Sequence, residues 1–191
     1  MKEYPVTVGV EYTERLSRLT TFFRCVMVIP HSICLYFVGI AASVLVFISW
    51  WAILFTARYP KWAFEFVSGY LRWYTRVMGY NVLLTDKYPP FSFGGNEMKE
   101  YPVTVGVEYT ERLSRLTTFF RCVMVIPHFI CLYFVGIAAG VLVFISWWAI
   151  LFTARYPKWA FEFVSGYLRW YTRVIGYNVL LTDKYPPFSF D

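Results

Sequence analysis

The chain has 191 residues, of which 58% are hydrophobic, 23% aromatic and only 16% charged, with a mean hydropathy of +0.48 and a formal net charge of +6. A soluble domain carries about a quarter charged residues, so this composition excludes an ordinary soluble protein and predicts an integral membrane one. The Lys and Arg residues flank apolar runs rather than clustering alone, so membrane lipids with anionic headgroups are the expected partner and nucleic acid is not.

The sequence is written twice. Residues 1–93 recur at 98–190, an offset of 97, with three differences: Ser32 against Phe129, Ser43 against Gly140, and Met78 against Ile175. The expected organisation is a first membrane unit (1–93), a linker (94–97) beginning Gly94-Gly95-Asn96, and a second unit (98–191). Each copy opens on its own Met, which fits two complete units joined end to end. Two identical units on one chain are expected to pair like a homodimer about a pseudo-twofold axis.

Within a unit, Val6, Val8 and Val10 alternate with Thr7, Gly9 and Glu11, which predicts a short extended arm. Thr13 followed by Glu14 predicts a helix N-cap there. From Cys25 to Ala57 no residue carries a formal charge, His31 aside. No small-residue cleavage site follows this run, so a cleaved signal peptide is not expected.

The uncharged run is too long for one upright crossing of about 20 residues and short for two. Two topologies fit. In one, Pro30 ends an interfacial helix and a single helix, 31–57, spans the bilayer. In the other, the unit is a helical hairpin with its turn at Gly39. Placement of charge favours the hairpin: Lys2, Arg15, Arg18 and Arg24 precede the run, and Arg58, Lys61, Arg72, Arg76 and Lys87 follow it. A hairpin keeps all of them on the cytoplasmic side. Near-identical copies in one orientation also require an even number of crossings.

After Pro60, charges at Lys61, Glu65, Arg72 and Arg76 form one helical stripe, and Phe66, Tyr70, Trp73 and Val77 another. This predicts an amphipathic helix lying in the headgroup plane. The closing segment, Val82 to Phe91, contains Pro89-Pro90; its Val82–Thr85 stretch is expected to pair with the arm at Val6–Val10. The expected fold is thus all-α integral membrane: two tandem helical hairpins, four transmembrane helices, pseudo-twofold. An amphipathic interfacial helix follows each hairpin, with short extended arms at the cytoplasmic surface. The expected location is the bacterial inner membrane, multi-pass, with cytoplasmic termini.

Several stretches together resemble a known family. They are Arg15-Leu16-x-Arg18-Leu19-Thr20-Thr21-Phe22-Phe23-Arg24, Ile29-Pro30-His31, Trp51-Ala52-Ile53-Leu54-Phe55-Thr56-x-Arg58-Tyr59-Pro60, Leu71-Arg72-Trp73, and Leu83-Leu84-Thr85-Asp86-x-Tyr88-Pro89-Pro90-Phe91. The chain resembles the bacterial membrane proteins grouped as "domain of unknown function 4389" across nearly all of both copies. The resemblance implies architecture and no activity. Ser32 and Ser43 depart from its commoner pattern, which Phe129 and Gly140 keep.

Candidate site residues follow from rarity at membrane depth. His31 and His128 are the only histidines. Facing each other across the axis they could anchor haem, a metal or a proton relay, with Cys34 and Cys131 three residues on. The bland alternative is a neutral imidazole bonded to a carbonyl that Pro30 frees. The neutral imidazole is the favoured reading, so neither haem nor a metal is expected. The asymmetric pairs Ser32/Phe129 and Ser43/Gly140 mark candidate ligand contacts.

Arg24 and Arg121 are candidates for lipid phosphates or for pairing with Glu65 and Glu162. Lys61, Lys158, Arg72, Arg169, Arg76 and Arg173 are further headgroup candidates. No nucleophile–base–acid set and no phosphate loop occurs, so catalysis is not expected. Three functions remain open. The leading one is a non-enzymatic membrane scaffold or accessory protein, with room for further oligomers or a membrane-complex partner. The others are a small channel along the pseudo-twofold axis, and a binder of an apolar ligand or cofactor between the copies.

Overall fold

A computed structural model describes residues 4–94 and 101–190. Of the expected linker only Gly94 falls among them; the rest lies outside the described residues, as does Lys2. The first copy contains strand β1 (Val6–Val10), helix α1 (Arg18–Thr56) and helix α2 (Lys61–Asn81). The second contains β2 (Val103–Val107), α3 (Arg115–Met124), α4 (Ile126–Thr153) and α5 (Lys158–Asn178). The fold is helical, two tandem helix pairs with one two-stranded ribbon.

The hairpin expected from charge placement is not formed. α1 runs unbroken through Gly39 for 39 residues. Gly39 serves packing rather than reversal: a Cβ there would stand 3.0 Å from the Tyr70 hydroxyl, and among the described residues no glycine takes positive φ. Nothing in Gly39-Ile40-Ala41-Ala42 competes with helix by bonding its own backbone. The helix also starts later than expected. Ser17, not Thr13, is the N-cap and accepts from the Thr20 N–H at 3.4 Å. It ends where Ala57 turns left-handed (φ 56°) and its N–H reaches the Ile53 carbonyl at 2.8 Å.

Pro30 lies inside α1 without ending it. In the second copy the ladder lapses at Val125, just before Pro127, separating α3 from α4. One of the three sequence differences lies nearby: the Ser32 hydroxyl donates back to the Val28 carbonyl at 3.1 Å, whereas Phe129 stands at that position in the other copy, where Val125 is buried.

The expected pairing of the arm with Val82–Thr85 is also replaced. β1 pairs with β2 of the other copy, antiparallel, with Val8 opposite Val105. Those two residues are equivalents at the repeat offset, so the pseudo-twofold axis passes between them, perpendicular to the ribbon. The axis then passes between Thr75 and Thr172, whose hydroxyls are 3.3 Å apart, and between Tyr74 and Tyr171, whose hydroxyls are 3.2 Å apart.

The two cores are shared between copies. One holds Leu16, Leu83 and Leu84 of the first copy with Val103, Ile150 and Val164 of the second; the other is its mirror, with Val6, Ile53 and Val67 against Leu113, Leu180 and Leu181. Each fully buried aliphatic side chain there stabilises by about 1.5–3 kcal/mol. Two smaller clusters, around Leu35, Trp73 and Val77 and around Leu132, Trp170 and Val174, lie within single copies, but the two larger ones close only when the halves pair.

The symmetry fixes how α1 lies. A twofold rotation leaves height along its axis unchanged, so Ala154 stands level with its equivalent, Ala57. The Leu16 N–H donates to the Ala154 carbonyl at 3.1 Å. Leu16 and Ala57, at opposite ends of α1, are therefore nearly level along the axis. A helix of 39 residues is about 58 Å long, so α1 lies across the axis rather than along it. The helix of the other copy runs antiparallel beside it: Trp147 donates to the Thr21 carbonyl and Trp50 to the Thr118 carbonyl, both at 3.1 Å.

Candidate functional site

α2 and α5 fill the centre. Positions on every side of α2 are buried, including Ala63, Val67, Leu71, Trp73 and Tyr80, so its amphipathic pattern does not mark a helix with one free face. Its partners explain the burial: α1 on one side, the strand of the other copy on another, α5 across the axis, and its own C-terminal tail, with Phe93 against Gly69.

Four groups of polar residues are built on this frame. The first is a knot around Arg24, which is 2% exposed. Its Nη1 donates to the Thr85 carbonyl at 2.9 Å and also to the Tyr80 carbonyl, and its Nη2 to Asp86 Oδ1 at 2.6 Å. The guanidinium lies 4.4 Å from the Tyr80 ring centre. Asp86 Oδ2 accepts the Ser17 N–H at the start of α1. One arginine thus ties the end of α2, the tail and the N-terminus of α1 together, and Arg121 with Asp183 repeats it. The expected ion pair with Glu65 is not made. Arg24 is turned inward and committed, which removes it as an exposed headgroup contact; the partner that sequence reading missed, Asp86, stands in the closing Thr85-Asp86 segment.

The second is a box around His31, which is fully buried. Its Nδ1 accepts from Trp73 Nε1 at 3.2 Å, so by this network Nε2 carries the proton; the Pro89 carbonyl lies on that side of the ring, but Nε2 is buried without a hydrogen bond. Phe91 stacks on the ring at 3.8 Å between centroids, and Tyr88 covers another side at 4.9 Å. His128 sits in the equivalent box of Trp170, Tyr185 and Phe188. The two imidazoles therefore do not face each other: each is sealed inside its own copy. Cys34 is exposed while His31 is buried, and Cys131 is half-buried. Among the described residues no cluster of three His, Cys, Asp or Glu side chains could hold a metal, and the sealed boxes do not fit haem ligation.

The box has a mechanical role that can be measured. Trp73→Phe keeps the ring and removes the donor, leaving His31 Nδ1 buried and unpaired. The expected loss is about 1–3 kcal/mol of stability, with faster tryptic cleavage at Lys87 as the tail loosens. An unchanged unfolding midpoint and unchanged cleavage would show that the tail is held otherwise.

The third group is the remaining basic residues. Lys61 and Lys158 are exposed and paired loosely with Glu65 and Glu162 at 3.9 and 3.8 Å. Arg76 is buried and donates to the Ser92 and Gly94 carbonyls at 3.3 and 2.7 Å; Arg173 reaches the Ser189 carbonyl at 3.4 Å. Arg72 and Arg169 are half-buried. The stripe read from the sequence is thus divided between surface and interior.

The fourth lies where each long helix meets the loop of the other copy. Tyr59 is buried, and burial pushes its phenol up to about 12, partly offset by Ser49. Its carbonyl accepts from the Tyr109 hydroxyl at 2.9 Å. Tyr101, whose phenol burial also raises, donates to the Lys87 carbonyl at 3.0 Å. The two hydroxyl-to-carbonyl contacts cross between copies.

The exposed side of the long helices is different in kind. Along α1, Phe22, Ile33, Phe37, Phe47 and Phe55 are each more than half exposed, and the same stripe continues on α3 and α4. The 39-residue stretches 18–56 and 115–153 are each long and apolar enough to cross a membrane by length and composition.

No curated protein and no solved structure matches the chain. The family described as Domain of unknown function (DUF4389) matches residues 18–92 and again 115–189, from the first turn of the long helix to the aromatic tail in each copy. The chain belongs to this family and carries its unit twice.

Proposed function

We propose that this protein is a non-catalytic membrane scaffold embedded with its pseudo-twofold axis along the membrane normal and its two long helices lying in the bilayer. The observation that carries the proposal is the stripe of exposed apolar side chains along the whole of α1 and its repeat, with no formal charge between Cys25 and Ala57. Exposed apolar surface on this scale marks a contact with lipid or protein. The level ends of each helix support the orientation. They hold Glu14, Arg15, Arg58 and Lys61 at one height, where charge can meet headgroups. An axis lying in the membrane plane would instead carry the ribbon, with Glu11 and Glu108 beside it, into the hydrocarbon at a cost of several kcal/mol per unpaired polar group.

The axis is filled by Val8/Val105, Thr75/Thr172 and Tyr74/Tyr171. That filling supports a scaffold over a pore running along it. Membranes from cells making the full chain, washed in alkaline carbonate, test the proposal. The chain is expected to stay in the pellet and to require detergent for release. Recovery in the carbonate supernatant would remove the membrane reading, and turnover of a substrate by the purified chain would remove the non-catalytic one.

A further inference from the structure

Two grooves run between the copies, one at each end of the antiparallel helix pair, and they are not equal. One has a volume of about 560 Å³ and is walled by Gly136, Ala139, Gly140 and Phe144 of α4 against Thr21 and Met78. Its symmetry equivalent has about 350 Å³ and is walled by Ser43, Phe47 and Thr118. Two of the three positions at which the copies differ bear on this inequality. Gly140 leaves open space where a Cβ would meet nothing within 4 Å, whereas Ser43 fills that position and turns its hydroxyl to the Gly39 carbonyl at 2.8 Å. Met78, an adaptable thioether chain, stands in the larger groove where the other copy has Ile175.

The wall of the larger groove continues into the exposed stripe of α4, where Ile137, Val141 and Phe144 are each more than half exposed. A molecule in the groove therefore reaches it from whatever covers that stripe. The lining is almost wholly apolar; Arg24 touches it but is spent on Tyr80, Thr85 and Asp86. Two polar atoms of the lining residues are left over, Thr21 Oγ1 and Arg24 Nε, both buried and without a hydrogen-bond partner, and of the two residues Thr21 has no other side-chain bond. Asn81 stands exposed at the rim. The volume falls in the usual range for a small-ligand site.

We infer that the larger groove holds one acyl chain of a phospholipid, with the ester region near Thr21 and the headgroup toward Asn81, and that the duplicated protein has kept one lipid site where a symmetric pair would have two. This rests on the membrane reading above, since the bilayer supplies the lipid. Thr21 offers a donor that an ester carbonyl accepts, and Gly140 supplies the width. The smaller groove lacks both the glycine and the methionine.

Native mass spectrometry of the full chain in mild detergent, with palmitoyl-oleoyl-phosphatidylglycerol added, tests this. The expected result is one strongly retained phospholipid per chain. Gly140→Leu is expected to lower that occupancy at least tenfold while leaving the helical circular dichroism and the unfolding midpoint unchanged, because the new side chain enters open space. Ser43→Leu is expected to leave occupancy as it was. The double variant Ser43→Gly/Ile175→Met is expected to gain a second lipid. Retention of two lipids or none by the starting protein, or full retention by Gly140→Leu, would overturn the assignment; so would retention of added palmitate in place of phospholipid. The measurement is made in detergent. A chain that is extracted by carbonate yet binds one lipid refutes the membrane reading alone, and a carbonate-resistant chain that binds none refutes the groove alone.

Discussion

Replacing Arg24 by Ala is expected to lower the unfolding free energy by about 3–5 kcal/mol, the usual cost of removing one partner from a buried ion pair. For a chain of this size that is a fall in thermal midpoint of roughly 6–20 °C. The loss does not come chiefly from the Coulomb attraction. It comes from what is left behind: the Tyr80 and Thr85 carbonyls lose their donor, and the partly buried Asp86 carboxylate keeps only the Ser17 N–H. Arg24→Lys is expected to recover little, because an ammonium cannot present the flat fork that reaches Tyr80, Thr85 and Asp86 together. Arg121→Ala is expected to cost a similar amount, since Asp183 and the Tyr177 and Thr182 carbonyls repeat the knot. Lys61→Ala supplies the control. That lysine is exposed and only loosely paired, so its loss is expected to change stability by no more than about 0.5 kcal/mol. Thermal unfolding in detergent, followed by circular dichroism, reads all four. A full rescue by lysine would show that charge alone, not the fork, holds the junction.

The knot also shows what could be read from the sequence. The repeat, the pairing of copies, the extended arm and a helix from near Lys61 were all legible. They rest on local patterns: identity at a fixed offset, alternation over residues 6–10, and a proline ahead of a helical stripe. The partners were not legible, because they are set by chain segments far apart. Arg24 meets Asp86, and Trp73 meets His31; no spacing rule connects those positions.

The hairpin at Gly39 failed for a related reason. The hairpin was inferred from the need to bring both ends of the apolar run level, and a turn is only one way to meet it. Leu16 and Ala57 are brought level by the pairing of two long helices across a twofold axis, and that axis was not visible from one unit. The amphipathic stripe on α2 misled similarly. Arg76 bonds the tail at Ser92 and Gly94, so polarity at that position reports an internal partner rather than water.

Labelling from the two sides of a sealed membrane is expected to find both ends of both long helices on the same side. The sites are Glu14 and Lys61 in the first copy and their equivalents Glu111 and Lys158 in the second, all exposed. Each is changed singly to Cys in a chain whose own four cysteines are replaced. These four positions discriminate sharply because of the contacts at the helix ends. Glu14 adjoins Arg155, and Arg58 adjoins Glu111, both at 3.6 Å. If the long helices crossed the bilayer, Glu14 and Lys158 would share one face while Lys61 and Glu111 shared the other, so an impermeant maleimide would label two of four from either side. With the helices in the bilayer plane, all four are labelled from one side and none from the other. A fifth site, Ile40→Cys, separates this arrangement from a hairpin. A hairpin would present residue 40 at the far surface. In the in-plane arrangement that exposed side chain lies against lipid tails, and a water-borne reagent reaches it from neither side. A two-and-two result would overturn the orientation while leaving the antiparallel helix pair intact, since that pairing is fixed by Trp50, Trp147 and the shared cores rather than by the membrane.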